Sequence, residues 1–128
     1  MRPNNEKIAR EYARTSHEEQ VDLLRTLAQI PAPTGREGRR AAFVRDWLAA
    51  HGCDDVHVDD AGNVACLLGP SAGGWTVLSA HTDVVFDDTD ELPLIEKDGR
   101  MCAPGVGDDT ANLVNVMMVA AWLAAHQT

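Results

Sequence analysis

Two short clusters hold the groups best suited to chemistry. His81 and Asp83 lie in Ala80-His81-Thr82-Asp83, and Asp108 and Asp109 close the run Gly105-Val106-Gly107-Asp108-Asp109. In extended backbone, residues two apart face the same way, so His81 and Asp83 are expected to project together. A carboxylate beside an imidazole fixes the tautomer of the ring and leaves its other nitrogen free to ligate a metal. The paired aspartates directly precede the most hydrophobic segment of the chain, which places them at a helix N-terminus, where backbone dipoles favour negative charge. Glycines at 105 and 107 let the backbone turn sharply into that position. Taken singly, a histidine that ends a strand and an aspartate that starts a helix account for these residues equally well.

The elements around the clusters must position them. Trp75-Thr76-Val77-Leu78-Ser79-Ala80 is an apolar run behind a flexible loop at residues 69–74 and predicts a buried strand that delivers His81. Upstream, residues 4–14 predict a loosely docked first helix. Ser16-His17-Glu18-Glu19 matches a capping box, followed by Val21, Leu24, Leu27 and Ala28 on one face of a helix ending near Ile30. Pro31-Ala32-Pro33-Thr34-Gly35 breaks that helix and reads as a shape element. Thr34 to Glu37 forms a second capping box before a helix with Ala41, Val44, Trp47 and Leu48 inward, stopped at His51-Gly52.

Two hairpins are expected, 56–59 with 64–68 and 92–96 with 101–102, the second separating the two halves of the site. From Thr110 the chain is apolar nearly all round, and a helix apolar on every face has to be buried on every face. A chain of 128 residues has little material for that. Either a further layer packs on the 110–126 helix or the chain self-associates, for instance as a homodimer. The layout predicts an α/β fold, a mixed sheet flanked by helices, in one domain over residues 1–128.

Composition narrows the partners. A formal net charge of -9 argues against nucleic acid and anionic membrane as binding surfaces, and 45% hydrophobic content is ordinary for a globular protein. Cys53, Cys66 and Cys102 show no paired spacing and read as buried free thiols of a reducing compartment. The N-terminus lacks an apolar signal core, and Val116–Ala125 is too short an apolar run to span a bilayer. The expected location is cytoplasmic. His17, His51 and His57 read as solvated or helix-end histidines. The acidic run Asp87 to Glu91 lacks the spacing and glycine of a calcium loop.

Ala80-His81-Thr82-Asp83-Val84-Val85, followed by Pro104-Gly105-Val106-Gly107-Asp108-Asp109, resembles the first half of the catalytic domain of the M20 zinc metallopeptidases. That family includes aminopeptidases, carboxypeptidases and N-acyl amino acid deacylases, and the resemblance runs from about Glu19 to His126. It implies a layered zinc-exopeptidase-like (phosphorylase/hydrolase-like) domain, here incomplete, with the lid domain and the C-terminal half absent. It further implies two zinc ions, with cobalt or manganese as substitutes. His81 would ligate one metal and Asp108 would bridge the two. Asp83 would be the catalytic-site residue that orients His81, and the Asp108–Asp109 peptide would be cis.

A two-metal site lowers the pKa of a bridging water, polarises the scissile carbonyl and holds the substrate between the ions. Neutral imidazole suits zinc. In the family, the general-base glutamate, the carboxylate ligand beside it, one further ligand and a distal histidine all lie downstream of these motifs. Glu18-Glu19 stands at the wrong end of the chain to replace them. Thr110 and Asn112 also depart from the lysine and glycine that many members carry there.

The resemblance therefore implies an exopeptidase acting on small peptides, or alternatively an N-acyl amino acid deacylase of the acetylornithine deacetylase or succinyl-diaminopimelate desuccinylase type. With two identifiable ligands where zinc takes at least three from protein, the chain alone is expected to hydrolyse peptides negligibly. A reading from another class is a non-catalytic binding or oligomerisation module that presents its apolar helix to a partner.

Overall fold

A computed structural model describes residues 3–70 and 72–126. Helices α1 (Pro3–Thr15), α2 (His17–Gln29) and α3 (Gly38–Ala50) come first, then strands β1 (His57–Val58) and β2 (Val64–Ala65). Strands β3 (Ile95–Lys97) and β4 (Arg100–Cys102) follow, and a wide turn at Val106–Thr110 leads into helix α4 (Ala111–Ala125).

The core forms where three helices turn apolar faces toward one another. Leu23 and Leu27 of α2, Val44 and Leu48 of α3, and Leu113, Val114, Met117 and Met118 of α4 make one buried cluster with Cys53. Helical spacing put these residues on common faces. Their burial is the main apolar stabilisation of the described chain, at roughly 1.5–3 kcal/mol for each large side chain. Helix α1 is mostly exposed. It is pinned to α4 by the Tyr12 hydroxyl, which donates to the Met118 carbonyl at 2.9 Å.

Neither capping box forms. The Ser16 hydroxyl donates backward to the Tyr12 carbonyl at 2.6 Å, so it closes α1 rather than opening α2. The Thr34 hydroxyl turns to Asp83, and the Glu37 carboxylate accepts the Gly35 N–H at 2.5 Å before α3 starts at Gly38. In both places the hydroxyl is turned to an acceptor away from the helix start, and no N–H of the helix that follows donates to it. Gly52 does carry the left-handed conformation expected at the end of α3, with φ 85°.

Both hairpins are present and antiparallel, with His57 opposite Ala65 and Glu96 opposite Met101. They form two separate two-stranded sheets among the described residues. The second is docked on the end of α2, where the Leu92 N–H donates to Gln29 O at 2.9 Å and Arg25 pairs with Glu96 at 2.8 Å. That pair is partly exposed and contributes about 1 kcal/mol at most.

Trp75 to Ala80 departs from expectation. It forms no strand, and Trp75, Val77 and Leu78 are 51%, 81% and 55% exposed. A buried strand needs hydrogen-bonding neighbours and cover on its faces, and neither hairpin lends it an edge. The one pairing nearby is a parallel bridge between Pro33 and Val84, where the Val84 N–H donates to Ala32 O at 2.8 Å.

Helix α4 likewise keeps an open side. Val119 and Leu123 stay exposed beside a groove of about 410 Å³ lined by Tyr12, Met118 and Trp122. Of the thiols, Cys53 is buried, Cys66 half-buried and Cys102 exposed, the last against expectation. No helix among the described residues is long and apolar enough to cross a membrane.

Candidate functional site

The two clusters singled out in the sequence meet in space. The loop at residues 80–84 leaves the Pro33–Val84 bridge and faces the turn at 105–110. Gly105 lets that turn approach: its φ is 71°, and a Cβ there would lie 2.4 Å from Val84 Cγ1. Gly107 has no such requirement, since nothing lies within 4 Å of where its Cβ would sit.

His81 is the centre. Its Nδ1 lies 3.0 Å from Asp83 Oδ1 and 3.1 Å from the Asp83 carbonyl oxygen. Its Nε2 lies 3.1 Å from Asp108 Oδ1. The two ring nitrogens thus face different carboxylates, and each donates when the ring is protonated. Partial burial alone would lower the imidazole pKa. The hydrogen bond to Asp108 and the negative charges of Asp83 and Asp109 outweigh it and hold the ring above its ordinary value. Asp83 moves the other way. The Thr34 hydroxyl donates to its Oδ2 at 2.5 Å, and with the facing imidazole this outweighs burial and keeps the carboxyl below the usual range.

The paired aspartates divide their work. Asp108 is 85% exposed and points its carboxylate at His81, whereas Asp109 is clamped. Asp109 Oδ2 accepts the His81 backbone N–H at 3.3 Å, and Oδ1 accepts the Asn112 side-chain amide at 2.6 Å. The peptide between the two aspartates is cis, as the resemblance implied. Neither aspartate has helical backbone, so the pair lies in the turn before α4 and not in its first turn.

Four contributors escaped the sequence reading. Thr34 looked like a helix cap and serves Asp83. Asn112 looked like a departure from pattern and holds Asp109. Thr110 likewise looked only like a departure from pattern, Arg40 carried no signal, and both lie fully buried.

The donor set suits a metal in kind. An imidazole backed by Asp83 faces the exposed carboxylate of Asp108, which is zinc-type chemistry. It falls short in number, because no group of three or more His, Cys, Asp or Glu side chains converges as a metal site among the described residues.

Comparison with known proteins agrees with the motifs. Residues 77–128 match Peptidase family M20/M25/M40. The LysW-lysine hydrolase of Deinococcus radiodurans is 38% identical over 89 residues, covering 66% of this chain and 24% of that protein. A protein of Thermococcus kodakarensis, provisionally named a LysW-lysine/LysW-ornithine hydrolase, is 37% identical over 70 residues, 55% of this chain and 20% of its own. The chain thus spans between a fifth and a quarter of the length of these curated relatives. His81, Asp83, Asp108 and Asp109 all fall inside the matched stretch, and the chain resembles the M20 peptidases in the part of the catalytic domain that carries these motifs.

Proposed function

We propose that this chain supplies His81 and Asp108 to the metal centre of an M20-type hydrolase acting on amide bonds. The observation that carries the proposal is the facing of His81 Nε2 and Asp108 Oδ1 at 3.1 Å, with Asp83 held behind the ring at 3.0 Å. His81 and Asp108 would hold the metal. Asp83 would keep a proton on Nδ1, so that Nε2 is the ligating nitrogen. Thr34 steadies Asp83 and Asn112 steadies Asp109. A bound zinc or cobalt ion would supply Lewis acidity and an activated water.

The substrate we propose is a small peptide or an N-acyl amino acid. The names of the relatives, hydrolases of LysW-lysine and LysW-ornithine, support hydrolysis that frees a basic amino acid. Two ligands do not complete a zinc site, so the chain by itself is expected to turn over peptides negligibly.

The test is zinc titration of the purified chain followed by calorimetry, with His81→Ala and Asp108→Ala beside it. Each substitution is expected to weaken binding about tenfold or more, the loss of roughly 1.4 kcal/mol or more. Binding indifferent to both changes would sink the proposal.

The open face of α4 supports a second reading, an interface for a partner or second copy. A sample that sediments as a monomer at every concentration would count against self-association.

A further inference from the structure

Beneath the His81 loop lies a buried guanidinium. Arg40, in the first turn of α3, is fully buried. Its Nε donates to Ile30 O at 3.2 Å, and its Nη2 donates to Ile30 O at 2.8 Å and to Leu27 O at 3.0 Å. Its Nη1 reaches the other way, to Thr82 O at 3.0 Å and to Thr110 Oγ1 at 3.1 Å. The Thr110 hydroxyl, in turn, donates to Gly105 O at 3.1 Å.

Thr82 is the residue between His81 and Asp83, and Thr110 follows Asp109. One nitrogen therefore grips both clusters of the site, while the rest of the same planar group is seated on the C-terminal carbonyls of α2.

Burying a guanidinium costs several kcal/mol, and an apolar side chain of similar volume would often fill the space with equal or greater stability. None of the direct acceptors is a carboxylate. Desolvation brings the Arg40 pKa down to about 10, with the charge of Asp83 as the counterweight, so the group stays charged at neutral pH. Packing alone does not require such a residue. Its rigid fork of donors suits the fixing of two backbone segments at a set separation.

We infer that Arg40 is the positioning residue of the site: through Nη1, Thr82 O and Thr110 Oγ1 it holds the 81–83 loop against the 105–110 turn, so that His81 and Asp108 face each other. The inference rests on the metal-centre reading for one of its two readouts and is independent of it for the other.

The first readout is the visible absorption and affinity of Co²⁺ on the 128-residue chain. The second is the hydrogen exchange of the Val84 amide, which anchors the loop to Ala32, measured against core amides of α2 and α4. Arg40→Lys keeps the charge but loses the fork. Thr110→Val keeps the shape but loses the hydroxyl, and Thr110→Ser restores it.

Arg40→Lys and Thr110→Val are each expected to weaken Co²⁺ binding and to speed Val84 exchange relative to the core by about tenfold, the worth of one buried hydrogen bond. Thr110→Ser is expected to stay near the parent chain in both. Unchanged cobalt affinity and Val84 protection in the folded variants, or a loss of protection spread evenly over the core, would overturn the inference. If the parent chain gives no cobalt spectrum, the metal-centre reading fails and Val84 exchange still decides the role of Arg40. If Arg40→Lys does not fold, the Thr110 pair decides it.

Discussion

Burial in the core pushes the Cys53 thiol from an ordinary 9.0 up to about 11, and the neighbouring Cys66 adds to the rise. Only the thiolate is nucleophilic, so at pH 8 Cys53 should be alkylated roughly a hundredfold more slowly than an ordinary thiol. The exposed Cys102 should react first, as peptide mapping after a timed iodoacetamide pulse would show. The folded chain holds this proton more tightly than the unfolded chain. Its contribution to stability is therefore full below about pH 9 and declines as the pH rises toward 11. Equal labelling of Cys53 and Cys102 would contradict the buried placement.

At this scale the sequence revealed residue types and little of their partners. His81, Asp83 and Asp108 were legible because their spacing is local and their chemistry unusual. Thr34 and Arg40 were not, because a hydroxyl in a proline turn and an arginine early in a helix acquire their roles only from partners far along the chain.

Among the elements, the 105–110 turn is the most sensitive to a single atom. Gly105→Ala would place a methyl group 2.4 Å from Val84 Cγ1 on a backbone with φ 71°. We expect a loss of about 1–3 kcal/mol from steric overlap and strained backbone. Thermal unfolding would measure that loss, and zinc titration is expected to weaken with it because the turn carries Asp108. A variant as stable as the parent would show that the turn relaxes freely. Helices α2 and α3 were readable from their 3.6-residue apolar spacing, which depends on neighbours one turn away, and α4 from its nearly continuous apolar run. The segment at 75–80 was misread because a strand exists only through its partners, which periodicity within the segment does not report. Both supposed capping boxes failed for a related reason: the motif shows that a hydroxyl is present, and the fold decides whether its oxygen is placed to accept a helix N–H.

Across the whole molecule, several large apolar side chains outside the helical core remain in solvent, although Val84 and Leu92 are buried. Leu67 is 61% exposed, Val77 and Val85 are each 81% exposed, and Trp75 and Leu78 are about half exposed. Exposed apolar surface favours self-association. Val77→Lys should change folding stability by no more than about 0.5 kcal/mol, as expected of a surface site. It should also lower the tendency to associate, read by sedimentation at rising concentration. A large loss of stability would mean that Val77 is covered in solution.

The Pro33–Val84 bridge also bears on the order of assembly. It closes a loop containing all of α3 and the first hairpin, and Arg40 reaches Thr110 across a still longer stretch. The entropy of closing such loops is lost before the contacts that reward it are made. Helix α3 and the first hairpin should therefore form early, with the His81–Asp108 face last to assemble and first to open. Pulse-labelling hydrogen exchange during refolding would show this as protection reaching Val84 after the core amides of α3.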